Sequence, residues 1–144
     1  MPLDSDSDIA RVLTSTRSIA LVGASHKPAR PSHRVMQFLL AQGYEVYPVN
    51  PGLTGKQLLG RLVYPDLAAI PHQVDMVDVF RQSRFLPEIV SQAIAIGART
   101  LWTQLDVADL EAAAAAEAAG MEVVMDRCPA IELPRLQSAG MLPA

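Results

Sequence analysis

Cysteine occurs once, at Cys128, so the chain has no intramolecular disulfide framework and no metal site built from thiolates alone. A lone thiol suits a reducing compartment, and a cytoplasmic location is expected. No apolar run approaches the roughly 18 residues that a membrane span needs. The first residues, Met1 to Asp8, are acidic where a secretory signal is basic and then apolar. Charge of one sign is also lacking: 12 Lys and Arg face 15 Asp and Glu, a net −3, which argues against a general binder of nucleic acid or anionic membrane. The three histidines, His26, His33 and His72, show no metal-ligand spacing. Neither a Gly-x-Ser-x-Gly elbow nor a P-loop is found. Asp78, a lone acid in an apolar run, makes no acid–base pair and reads as a buried, hydrogen-bonded structural group.

What is there points to one packed domain. Half of the 144 residues are hydrophobic and only 19% are charged, which is not a disordered composition. Ser5 or Ser7 caps a short leading helix bearing Ile9, Val12 and Leu13. Ser18–Gly23 is an apolar run of strand length. Pro31 opens a helix with Val35, Met36, Leu39 and Leu40 at three- and four-residue spacing, closed by Gly43. Tyr44–Val49 is a second strand. Residues 52–72 read as a loop with a helical turn or two. Met76–Phe80 is a third strand, Pro87 opens a helix that ends at Gly97, and Thr100–Trp102 is a fourth strand. An alanine-rich helix runs from about Val107 to Ala119, Met121–Met125 is a fifth strand, and the tail from Leu133 looks loosely held. Five short strands separated by helices predict an α/β fold, a Rossmann-like, doubly wound parallel five-stranded sheet with helices on both faces.

In that fold ligands bind beyond the carboxyl ends of the strands. Special residues gather there: Gly23 to Ser32 after strand one, Asn50-Pro51 after strand two, Phe80-Arg81 after strand three, Thr103-Gln104 after strand four and Asp126 to Pro129 after strand five. The first loop is the most telling. Between Asp8 and Glu45 there is no carboxylate, while five of the twelve basic residues (Arg11, Arg17, Lys27, Arg30 and Arg34) fall in that gap. Positive charge thus concentrates where a helix N-terminus offers N–H groups to an anion. The dinucleotide fingerprint is incomplete: Gly23-Ala24-Ser25 lacks its second and third glycines, and neutral Asn50 stands where NAD sites carry an acid. Cys128 reads either as a reactive thiol beside Arg127 or as a small buried hydrophobe. Trp102 reads as core or pocket wall.

Val22-Gly23-Ala24-Ser25, Arg30-Pro31-Ser32, Gly43 to Pro51, Val77 to Arg81, Trp102 to Leu105 and Asp126 to Pro129 together resemble the small single-domain CoA-binding proteins, which are similar to the CoA-binding domain of the succinyl-CoA synthetase α subunit. The resemblance covers about residues 16–136 of a single domain. It implies a protein that binds CoA or an acyl-CoA as a carrier or regulatory module, with no established reaction, and a protein partner stays open. It places Gly23, Ala24, Ser25, Arg30 and Pro31 around the phosphates, Asn50 and Pro51 beside the adenosine, and Phe80 and Arg81 beneath the nucleotide at the third strand end. Lys27, by its charge, is a further phosphate donor, and Val79 is counted with the site. Trp102, Gln104 and Cys128 complete the expected cofactor site. Two positions depart from the pattern: Asp106 stands where glycine is usual, and Ala130 where a lysine often follows Cys-Pro. Asp106 is open to a second reading as the cap of the alanine-rich helix. Two alternative functions remain, an NAD(P)-binding oxidoreductase-like domain and an acyl-transfer or ligase-like subunit that needs a partner.

Overall fold

The computed structural model describes residues 1–143. Five parallel strands form one sheet in the order β2-β1-β5-β6-β7, with β1 at Ser18–Val22, β2 at Glu45–Val49, β5 at Met76–Val79, β6 at Thr100–Thr103 and β7 at Glu122–Val124. Every residue of β1 is buried, because helices cover both faces of the sheet. Helices α1 (Asp6–Ser15), α2 (Pro31–Ala41) and α5 (Pro129–Ser138) pack on one face through Ile9, Met36, Leu39 and Leu136 against Ile19, Leu21, Met76 and Trp102. On the other face α3 (Leu86–Ala95) and α4 (Leu110–Ala118) bring Leu86, Val90, Ala93 and Ala116 against Ala20, Val77, Leu101 and Val123. Alternate residues of each strand thus feed two separate cores. The chain runs from β1 outward to β2 and then back past β1 to β5, β6 and β7, with helices on both faces, which is the doubly wound order that the sequence anticipates.

Three expectations are corrected. Residues 52–72 hold more than loop and helical turns: after a 3₁₀ turn at Pro51–Leu53, strands β3 (Gln57–Leu58) and β4 (Arg61–Leu62) form a hairpin. Its turn, Leu59-Gly60, has φ of 50° and 80°, the left-handed pair that a two-residue hairpin needs. The chain then bridges the free edge of β2, where Tyr64 N–H donates to Pro48 O (2.9 Å) and Asn50 N–H to Tyr64 O (3.0 Å). Second, among the described residues the tail from Leu133 is not loosely held; Ala144 lies outside them. Residues Pro129–Ser138 are helical, Leu133 and Leu136 are buried, and Arg135 reaches Asp6 of α1 at 2.8 Å. Buried Glu132 accepts from both Arg127 (2.8 Å) and Arg135 (2.9 Å). Third, Asp109 caps α4, accepting from Ala112 N–H at 3.1 Å, so Asp106 is not the cap.

Candidate ligand site

The strand order reverses between β1 and β5, and the crevice opens beyond their carboxyl ends. It is a cavity of about 1370 Å³. That exceeds the roughly 300–1,000 Å³ of most small-molecule pockets, so it suits a long ligand.

Gly23 ends β1 at φ +95°, and a Cβ there would stand 3.2 Å from both the carbonyl carbon and the Cβ of Phe80 and 3.3 Å from Arg81 Cδ. Only glycine lets the two central strands approach this closely at the crevice floor. The N–H groups of Gly23 and Ala24 both donate to Val49 O, at 3.1 and 3.2 Å. Among the described residues, the N–H groups of Ser25, His26 and Ala29 make no hydrogen bond, and of these Ser25 and His26 line the cavity. Ser25 Oγ accepts from Lys27 N–H at 3.1 Å, and Ser25 O lies 2.9 Å from His33 Nδ1, so the loop is braced from within. Helix α2 follows with Arg30 at its N-cap and Pro31 in its first turn; no side chain caps it. Pro31 has no N–H, and the N–H groups of His33 and Arg34 both donate to Arg30 O (3.1 and 3.3 Å), so Ser32 N–H and the positive dipole end are what the helix offers the cavity, beside the exposed side chains of Lys27 and Arg30. This is an anion-binding arrangement.

Asn50, on the β2 side, uses its amide to tie loops together: Nδ2 donates to Ala24 O (2.7 Å) and Oδ1 accepts from Gly52 N–H (2.8 Å). It holds the first loop against the turn at Pro51. Arg81, past β5, lays its guanidinium over the Phe85 ring at 4.2 Å, while Arg84 approaches the same ring at 4.7 Å. Beneath the floor, Asp78 is fully buried in the central strand, and burial pushes its carboxyl well above the usual carboxylate range. Held neutral, it shares a hydrogen bond with the side-chain amide of Gln104, which lies 2.9 and 3.2 Å from its two oxygens. The acid is thus a satisfied structural group that anchors a cavity side chain.

Of the residues singled out from sequence, Gly23, Ala24, Ser25, Lys27, Arg30, Pro31, Asn50, Pro51, Phe80, Arg81, Gln104 and Cys128 all line this one cavity. Val79 and Trp102 do not. Both are fully buried, and Trp102 directs its indole N–H to Arg127 O at 2.7 Å, a core role. Cys128, 7% exposed, borders the cavity at the N-cap of α5. The wall formed by Phe85, Glu88, Ile89 and Gln92 was not anticipated. The same rule that drew attention to Arg81 could have found it, since α3 starts just beyond that strand end.

Residues 17–134 match the model of the CoA binding domain. The chain belongs to this CoA-binding domain family. A protein from Pyrococcus horikoshii of known structure shares 42% of its residues, with a TM-score of 0.89 over 95% of this chain and 96% of that one. The Bacillus subtilis protein YneT is 35% identical over 124 residues, covering 86% of this chain and 90% of YneT. The α subunit of the ADP-forming acetate–CoA ligase I of Pyrococcus furiosus is 33% identical over 84 residues, 56% of this chain but 18% of that subunit. The family thus includes free-standing chains of this size as well as a segment of a much larger ligase.

Proposed function

We propose that this CoA-binding domain holds CoA or an acyl-CoA in the cavity at the β1/β5 switch point, as a carrier or regulatory module. The observation that carries the reading is the uncapped N-terminus of α2 with Lys27 and Arg30 beside it, at the end of a glycine-floored loop. The free N–H groups of Ser25 and His26, the α2 terminus and the two cations would take the diphosphate, with charge-assisted bonds from Arg30 and Lys27. The adenosine would lie toward Asn50 and Pro51. From the diphosphate the pantetheine arm would run the other way, across Phe80 toward Gln104 and Cys128.

The test is thermal melting with CoA, dephospho-CoA and AMP. A ligand at a hundredfold excess over its Kd adds about 2.7 kcal/mol of stability. For a chain of this size that corresponds to a rise of roughly 5–10 °C in Tm. No shift with any of the three ligands overturns the reading. The likeness to an acetate–CoA ligase subunit favours a second reading, in which the domain serves a ligase that supplies the catalytic parts on another chain. Acyl-CoA formation from acetate, CoA and ATP only when a partner chain is added would support it.

A further inference from the structure

The cavity carries charge of both signs: Lys27, Arg30 and Arg34 stand at the β1 loop and the start of α2, Arg81 past β5, Asp66 on the β2 side, Glu88 on α3, and Asp106 on the wall after β6. Asp106 holds φ +68°, a left-handed conformation that residues other than glycine seldom adopt, Asp and Asn excepted. Its backbone is pinned there: Asp106 N–H donates to Asp126 Oδ1 at 2.7 Å, Asp126 N–H donates to Thr103 Oγ1 at 2.9 Å, and Thr103 Oγ1 donates to Val107 O at 2.6 Å. The Asp106 carboxylate is exposed and, among the described residues, pairs with no cation and accepts no hydrogen bond. Three hydrogen bonds therefore fix the backbone that presents this unpaired carboxylate on the β6 side of the cavity, two strands from the β1 loop. The flanking cations in sequence are both engaged elsewhere, Arg99 with Asp75 at 3.4 Å and Arg127 with Glu132 at 2.8 Å.

Resting on the CoA reading above, we propose that Asp106 is a charge filter at the thiol end of the cavity, admitting CoA and thioesters of uncharged acyl groups and disfavouring thioesters of dicarboxylic acids. With the diphosphate at the β1 loop and the adenosine toward β2, the acyl group is carried to the β6 side, where this carboxylate waits. Two like charges within about 6 Å across a partly hydrated wall lower affinity on the order of tenfold.

The experiment compares binding of acetyl-CoA and succinyl-CoA to the wild type, Asp106→Asn and Asp106→Gly, with CoA as reference ligand. Both substitutions tolerate the left-handed backbone, and their melting curves check folding. The wild type is expected to favour acetyl-CoA about tenfold, and both variants to narrow that preference to roughly twofold, with the difference shrinking at high salt. Equal affinity in the wild type, or a preference that survives both substitutions, overturns the filter. Preference for succinyl-CoA also overturns it. If CoA itself fails to bind, the reading of the cavity falls and takes the filter with it. If CoA binds and the ratio is unmoved, only the filter falls.

Discussion

Asp78 sets a cost at the centre of the sheet that depends on pH. Its carboxyl is fully buried and held well above the usual carboxylate range by that burial. The native state therefore keeps a proton that the unfolded chain gives up once pH passes the ordinary aspartate value. Stability falls as pH rises from that value to the raised one, and levels off above it. Asp78→Asn removes the titration and keeps a polar partner for Gln104. The variant is expected to melt higher than the wild type at neutral pH, by roughly 2–4 °C for each kcal/mol recovered. Its lead should narrow as pH falls toward about 4. Melting curves across that range check this, and a lead that does not change with pH would show that the acid is not neutral in the fold. Residue chemistry of this kind was partly legible in the sequence. An acid inside an apolar run marks a buried polar group, but which side chain satisfies it does not follow from spacing, since Gln104 lies on another strand. Asn50 is similar: its position after β2 marked it for the cavity, but not that both ends of its amide tie loops together.

At the scale of elements, periodicity identified the five parallel strands and the helices between them, with boundaries shifted by one to three residues. It missed α5, which carries two prolines. Pro129 occupies the first turn of the helix, where no intrahelical N–H is needed. Pro134 lies inside the helix and is exposed. Tertiary contacts outweigh the donor it lacks: Leu133 and Leu136 enter the core, and Arg135 clamps α5 to Asp6. Leu136→Ala is accordingly expected to cost about 2–5 kcal/mol, as for a fully buried leucine, measured by urea unfolding. A cost under about 0.5 kcal/mol, typical of surface positions, would mean that the tail is not part of the core. The β3–β4 hairpin escaped the sequence reading because each strand has only two residues, too few to display alternation.

For the whole molecule, topology and charge converge on one place. The doubly wound order puts the crevice between β1 and β5, and three of the five cations in the carboxylate-free stretch, Lys27, Arg30 and Arg34, reach its rim. Arg11 instead pairs with Asp8 and Glu122, and Arg17 lies at the opposite end of β1. The strand-end loops were legible in advance, whereas the clustering of charge was legible only in part, because nearness in sequence does not say which end of a strand a side chain serves. The core placement of Val79 and Trp102 was not, since nearness to a strand end does not say which way a side chain points. The central claim is that this rim grips a diphosphate. Equilibrium dialysis of CoA against the wild type and Arg30→Ala, at low and high salt, tests it most directly. Saturation at one CoA per chain is expected, with affinity falling as salt rises and falling about tenfold in Arg30→Ala, whose salt dependence is flatter. No retained CoA, or affinity indifferent to both salt and Arg30, would contradict the account.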